Sequence, residues 1–227
     1  MWWKQLNKKK VLSILLFVFL AAIPIKDGQY YGLPFRASLP AIIIYFGMFI
    51  GIISYLSFEY SKYLKEFGCY YTFRIGHRSY LTKHYLLQIT TAIILFKGAE
   101  LLCFLLVGKT INFSYFMISI IVLFSLLLLG AIFELIISPE VSLFILSGFF
   151  LVSLFYGEII YDYSKVLPER LLSFATLFSC ANCLYDSRFN WIIENKGNYT
   201  SIMLISIVIV IIELYILSKK IKKLNLL

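Results

Sequence analysis

Two oppositely charged residues, Lys97 and Glu100, stand in the middle of a long apolar run. Their spacing of three residues brings two side chains onto one face of a helix. Lys97 lies twelve residues past Tyr85, where the run begins, which is about 18 Å along a helix. Charges so far from water are costly and usually functional. Two interpretations stay open: a self-neutralised pair that steadies a helical bundle, or charges at a subunit interface or along a substrate path.

A second chemical motif is the C-x-x-C formed by Cys180 and Cys183. In a membrane thiol oxidoreductase such a pair passes electrons to a quinone and needs a second cysteine pair on the same side. The chain is apolar enough to be predicted as a membrane protein, and the spans and orientation derived below place the remaining cysteines, Cys69 and Cys103, on opposite sides of the membrane. A zinc ion would require two further ligands, and neither histidine is predicted on that side. We therefore predict a local disulfide or two buried thiols at Cys180 and Cys183.

Other motifs that carry chemistry are incomplete. Gly108-Lys109-Thr110 imitates the end of a phosphate-binding loop, but Cys103 stands where the first glycine should be. His77 and His84 are seven residues apart, and the sequence contains no H-E-x-x-H motif. The sequence therefore predicts no catalytic residue, no metal site, no cofactor and no ATPase site of its own.

The most polar stretch inside the chain is residues 69–85, CYYTFRIGHRSYLTKHY. A plain basic loop could contact anionic lipid headgroups. Aromatic and apolar residues are unusually dense here, however, and aromatics interleaved with arginine are typical of protein-docking surfaces. The composition favours a surface that binds another protein.

The elements that must position these residues are apolar helices. The 227 residues are 61% hydrophobic and 15% charged, with a mean hydropathy of +0.87. Several runs approach the roughly 20 residues that cross a bilayer. We predict an all-α polytopic membrane protein, a single transmembrane domain over residues 1–227 with an interfacial segment at 1–10. Its six transmembrane helices are predicted at about 11–25, 39–60, 85–107, 115–137, 141–160 and 201–218.

The distribution of basic residues predicts the orientation of these spans. Thirteen Lys and Arg residues fall on the face that holds both termini and the 61–84 loop, and seven fall on the other face. Positive residues mark the cytoplasmic side, so both termini and the 61–84 loop are predicted to be cytoplasmic. The net charge of +9 is thereby explained without nucleic acid. The 161–200 segment is predicted outside, with a short re-entrant helical element in it.

This architecture resembles the permease subunits of ABC-2 type ABC transporters, over nearly the whole chain. The similarity rests on an interfacial N-terminal segment at Trp2-Trp3-Lys4, six spans, and a small helical element like 167–186 before the last span. It also rests on an R-x-G-x-R-like pattern that runs into the third span, here within residues 74–83, RIGHRSYLTK. The resemblance implies a type V exporter-like fold with a cytoplasmic coupling helix.

The resemblance also implies a function and partners. The coupling contact with the ATPase falls on Phe73, Arg74, Ile75, Gly76, His77, Arg78 and Tyr80. Two cytoplasmic ABC ATPase subunits would bind the ATP and Mg²⁺, and a second permease copy would complete a homodimer or heterodimer. The expected protein is a multi-pass permease of a bacterial cell membrane that exports a hydrophobic or amphipathic substrate, such as an antimicrobial or ribosomally made peptide. The alternatives are a stand-alone immunity or accessory protein that binds a peptide at its outer face, and a membrane thiol oxidoreductase.

Overall fold

The computed structural model describes residues 12, 29–30, 47, 50–51, 79–106, 110–111, 113–148 and 199–223. The elements are β1 (Gln29–Tyr30), α1 (Ser79–Leu106), β2 (Thr110–Ile111), α2 (Phe113–Glu134), a helical segment α3 (139–148) and α4 (Tyr199–Lys223). The described part is therefore helical apart from two short strands, as the predicted all-α class requires.

Helix α1 begins earlier than the sequence predicts. It starts at Ser79, six residues before Tyr85, so the last part of the predicted 61–84 loop is helical. No glycine or proline interrupts the chain between Gly76 and Gly98, and these are the residues that most strongly disfavour a helix. The apolar run and its polar lead-in consequently form one continuous helix of 28 residues.

A short turn at residues 135–138 joins α2 to α3. Helix α2 ends at Glu134, three residues before the predicted end of its run, because Pro139 cannot continue a preceding helix. Ser138 caps α3: the Val141 amide donates a hydrogen bond to its Oγ at 3.4 Å, and the Ser142 amide donates to its carbonyl oxygen at 3.0 Å. Proline in the first turn after a serine cap is a common helix start.

Helix α4 is longer than the run that predicted it. It covers Tyr199–Lys223, whereas the predicted span covers 201–218. The extension consists largely of lysine, a good helix former, and lysines at a helix C-terminus are also favoured by the helix dipole. The lysines of the predicted cytoplasmic C-terminal segment, at positions 219, 220, 222 and 223, therefore lie in the last turns of this helix.

The two strands form a small parallel pair, with Gln29 opposite Thr110 and Tyr30 opposite Ile111. The pairing holds the segment before the second apolar run beside the connection between α1 and α2. The distribution of basic residues predicts both segments on the same face.

The core lies where α4 packs against α2 and where both helices contact α1. Its most deeply buried apolar side chains are Ile89, Leu128, Ala131, Leu217 and Ile221. Among the residues that the structure describes, no helix combines the length and the apolar character needed to cross a membrane. The six spans of the prediction are therefore not supported. The predicted runs at 11–25 and 39–60, most of the run at 141–160, and the 1–10 and 161–198 segments lie outside the described residues.

Candidate functional site

Lys97 lies inside the helical bundle. Helix α1 turns a face made of Tyr85, Ile89, Ile93 and Phe96 toward the core, with the helical spacing of an apolar stripe. Lys97 follows Phe96 at the edge of this face, and its side chain is only 4% exposed. Its Nζ lies 5.7 Å from the centroid of the Phe96 ring, within the range of a cation–π contact. The lysine predicted from its depth in the run is thus buried within the bundle.

The structure describes only some of the other residues that were singled out from the sequence. Glu100 lies on α1 one turn after Lys97, but its side chain is not among those described, so the Lys97–Glu100 pairing stays a prediction. Tyr80 lies in the first turn of α1. The remaining coupling residues, 73–78, and the cysteines at 180 and 183 lie outside the described residues.

A second buried charge comes from α4. Among the described side chains of this helix, the buried ones are Ser206, Glu213, Leu217 and Ile221. They share one face because they are spaced seven, four and four residues apart. Glu213 is 4% exposed and stands near the middle of α4. The face that packs against the neighbouring helices therefore carries a carboxyl group at its centre.

Helix α2 supplies a partner for this carboxyl group. The Ser125 hydroxyl donates a hydrogen bond of 2.8 Å to Glu213 Oε1, across 88 residues of sequence. Glu213 Oε2 is also buried and has no hydrogen-bond partner within the described part of the protein. A buried polar atom without a partner costs free energy, and such exceptions often occur at functional positions. The Ser125–Glu213 contact is the clearest candidate site in the described bundle.

Its chemistry is that of a binding or positioning group. A buried carboxyl group with one free oxygen can accept a hydrogen bond or a cationic group that enters the α2–α4 interface. Within the described helices, no set of three His, Cys, Asp or Glu residues is placed to hold a metal ion.

The sequence did not single out Glu213. The residue stands only five positions before Ser218, the predicted end of its span, which suggested that its side chain could reach the membrane surface or lysine neighbours. The signal that could have found it is helical phase. Glu213 shares a face with Ser206, Leu217 and Ile221, whereas other large apolar residues of α4, such as Leu204 and Ile211, are exposed on the opposite side.

A close contact fixes the end of α2 against α3. The Ser142 hydroxyl, which is buried, donates a hydrogen bond of 3.2 Å to the Gly130 carbonyl. A β-carbon at Gly130 would lie 2.9 Å from Cδ1 of Leu146. A side chain at this position would therefore force Leu146 to shift, and glycine allows the close approach of α3.

Comparison with known proteins gives no family for the chain: no family model matches it, and no curated protein and no solved structure matches it significantly.

Proposed function

We propose that this protein is the membrane-embedded permease subunit of an ATP-driven ABC transporter that exports a hydrophobic or amphipathic substrate. Peptides of the antimicrobial or ribosomally made class fit that description. The chain would work with two cytoplasmic ATPase subunits and a second permease copy, homodimeric or heterodimeric, in a bacterial cell membrane. Its helices would form the six-span ABC-2 type arrangement with both termini in the cytoplasm.

The observation that carries the proposal is the distribution of polarity in the described bundle. Lys97 and Glu213 are buried, whereas Ile94 is 65% exposed and Leu204 is 63% exposed. Protein in water normally shows the opposite arrangement, with charged side chains outside. In lipid, charged side chains turn toward the bundle interior. The apolar outer faces are therefore suited to contact with acyl chains.

Hydroxyl groups on α1 support the same environment. Thr90 and Thr91 donate hydrogen bonds of 2.8 Å to the carbonyl oxygens of Leu86 and Leu87, one turn earlier. These contacts satisfy both hydroxyls within the helix and without water. Such bonding to the preceding turn suits helices in an apolar medium, where every polar group needs an internal partner.

The assignment to an ABC transporter rests on the sequence pattern before α1. Arg74, Gly76 and Arg78 form the R-x-G-x-R-like pattern, and the chain lacks a complete phosphate-binding loop. An outside ATPase would press on this segment and tilt the permease halves. Only a difference in substrate affinity between the inward and outward states can couple that motion to transport. The few intramembrane charges favour an apolar or amphipathic cargo over a polar one.

The first experiment tests insertion and partnership together. We expect the protein to stay in the membrane fraction after alkaline carbonate extraction and to co-purify with a chain that has a complete phosphate-binding loop. Accessibility of single cysteines placed in the connections would then count the spans. Extraction by carbonate would contradict membrane insertion. A stable protein that inserts but co-purifies with no ATPase would favour the accessory-protein alternative.

Reversing the basic charges at 74 and 78 tests the coupling contact. We expect Arg74→Glu with Arg78→Glu to abolish assembly with the ATPase or substrate-stimulated ATP hydrolysis, because the docking surface loses two positive charges. Membrane insertion should be unchanged. Lys83→Glu is the matched control, since Lys83 is exposed on α1 beyond the predicted contact. Unchanged ATPase binding and transport in the double variant would rule out this coupling role.

Lys97 tests whether buried charge contributes to transport. We expect Lys97→Met to reduce transport or folding more than Glu134→Gln does, because Lys97 is buried in mid-helix and Glu134 is partly exposed at the end of α2. Transport should be measured beside the amount of folded protein in the membrane. Equal and mild effects of the two substitutions would leave Lys97 with no special role.

A further inference from the structure

The last turns of α4 form a basic cluster. Lys219, Lys220 and Lys222 are exposed there, and no acidic residue follows Glu213 in the helix. Lys219 Nζ lies 5.9 Å from the centroid of the Tyr215 ring, and that tyrosine is 66% exposed. A cation beside an exposed aromatic ring at a helix end is the arrangement found where apolar and aqueous layers meet.

One face of α4 changes in character along its length. Val208, Ile211, Ile212 and Tyr215 are all exposed, and their spacing places them on the face that continues to Lys219 and Lys222. From Val208 to Lys219 is about 16 Å along the axis. That length matches half of a hydrocarbon core of roughly 30 Å. Along the helix axis, this face therefore presents an apolar row about as long as one leaflet is thick, followed by the aromatic ring of Tyr215 and then by the positive charge of Lys219 and Lys222.

We propose that this face of α4 binds one anionic phospholipid. Lys219 and Lys222 contact the phosphate, Tyr215 lies at the level of the glycerol backbone, and the acyl chain follows Val208 and Ile212. The positive charge selects an anionic headgroup, and the adjoining apolar row selects a lipid over a free phosphate ion. The inference rests on the membrane location in the proposed function and is independent of the ATPase partner.

The helix supplies its own control residue. Lys220 is exposed at the same level as Lys219, but it is one position on and so is turned by about 100°, away from the apolar row. Lys219→Gln with Lys222→Gln removes charge from the proposed site, whereas Lys220→Gln removes charge beside it. Tyr215→Leu removes the ring and keeps an apolar side chain.

The test uses the full chain in detergent micelles, titrated with phosphatidylglycerol, phosphatidylcholine or inorganic phosphate. Bound lipid is counted by native mass spectrometry. We expect preferential retention of phosphatidylglycerol. Each lysine contributes roughly fivefold in affinity, so the double variant should lose about 25-fold. Tyr215→Leu should lose less, and Lys220→Gln should change the affinity by less than about twofold.

Several results would overturn the inference. Equal loss in Lys220→Gln would indicate general charge attraction, and competition by inorganic phosphate at the lipid's own concentration would indicate a phosphate site. Loss of a co-purified protein in the double variant, with phosphatidylglycerol binding unchanged, would assign the lysines to a protein contact. A chain that carbonate extracts from membranes contradicts the proposed function. A chain that inserts but shows no phosphatidylglycerol preference contradicts this inference alone.

Discussion

The interior and the outer faces of the described helices are both built from large aliphatic residues, yet they differ in where polar groups occur. The interior contains Lys97, Glu213 and the hydroxyls of Ser142 and Ser206 beside its leucines. The outer faces of α1, α3 and α4 present residues such as Ile94, Phe144 and Leu204. The outward side of these helices, which is usually polar, therefore carries large apolar residues as the interior does.

Because of this difference, truncating a side chain in the interior and truncating one on an outer face should change the stability of the protein by different amounts. A side chain buried between helices makes many close contacts whatever the surrounding solvent, and it loses those contacts when it is truncated. An apolar side chain on the outer face has fewer contacts to lose among the described residues. Its contribution depends on the medium around the protein, which makes the two faces distinguishable by mutation.

The largest expected effect comes from truncating matched leucines on the two sides. Leu128 is fully buried and Leu204 is 63% exposed. We expect Leu128→Ala to lower the free energy of unfolding by about 2–5 kcal/mol, and Leu204→Ala to lower it by less than about 1 kcal/mol. Denaturant unfolding of the purified protein in micelles measures both. Similar losses for the two variants would mean that the outer face of α4 is also covered by protein.

The next effect concerns the polar contact in the interior. Ser125→Ala removes the hydrogen bond to Glu213 Oε1 and leaves a buried carboxyl group without a donor, so we expect a loss of about 1–3 kcal/mol. In a Glu213→Leu background the same substitution should cost almost nothing. A double-mutant cycle of unfolding free energies gives the coupling. No coupling between the two substitutions would show that the contact contributes nothing to stability.

The smallest effect compares two helical glycines. A β-carbon at Gly130 would lie 2.9 Å from Leu146 Cδ1, whereas nothing lies within 4 Å of one at Gly98. We expect Gly130→Ala to cost about 1 kcal/mol, because Leu146 is itself buried and has little room to shift. Gly98→Ala should gain up to about 1 kcal/mol from helix propensity. Thermal unfolding can rank the two, and a loss at Gly98 would reveal a neighbour packed against α1.

The sequence predicts helical class well because long apolar runs without an internal proline have few alternatives. It predicts helix ends poorly. Ser79 and Lys223 lie outside the runs because polar residues extend a helix as readily as apolar ones, and Glu134 ends α2 early because the chain turns before Pro139.

The two buried charges show a related limit for the candidate site. Distance along the run identified Lys97 but placed Glu213 near water. Burial of Glu213 follows instead from which face of α4 meets α2, and from a serine 88 residues away. Such a pairing depends on tertiary contacts, which a single sequence does not reveal.

The pairing of β1 with β2 has a consequence for the path of the chain. Thr110 follows within four residues of the end of α1, so Tyr30 is held at that end of the molecule. Helix α1 begins at the opposite end, about 42 Å away. Tyr30 and Ser79 are therefore held at opposite ends of α1. The strand pair thus fixes Tyr30 at the C-terminal end of α1, and cysteines placed at 30 and 110 should report the same side.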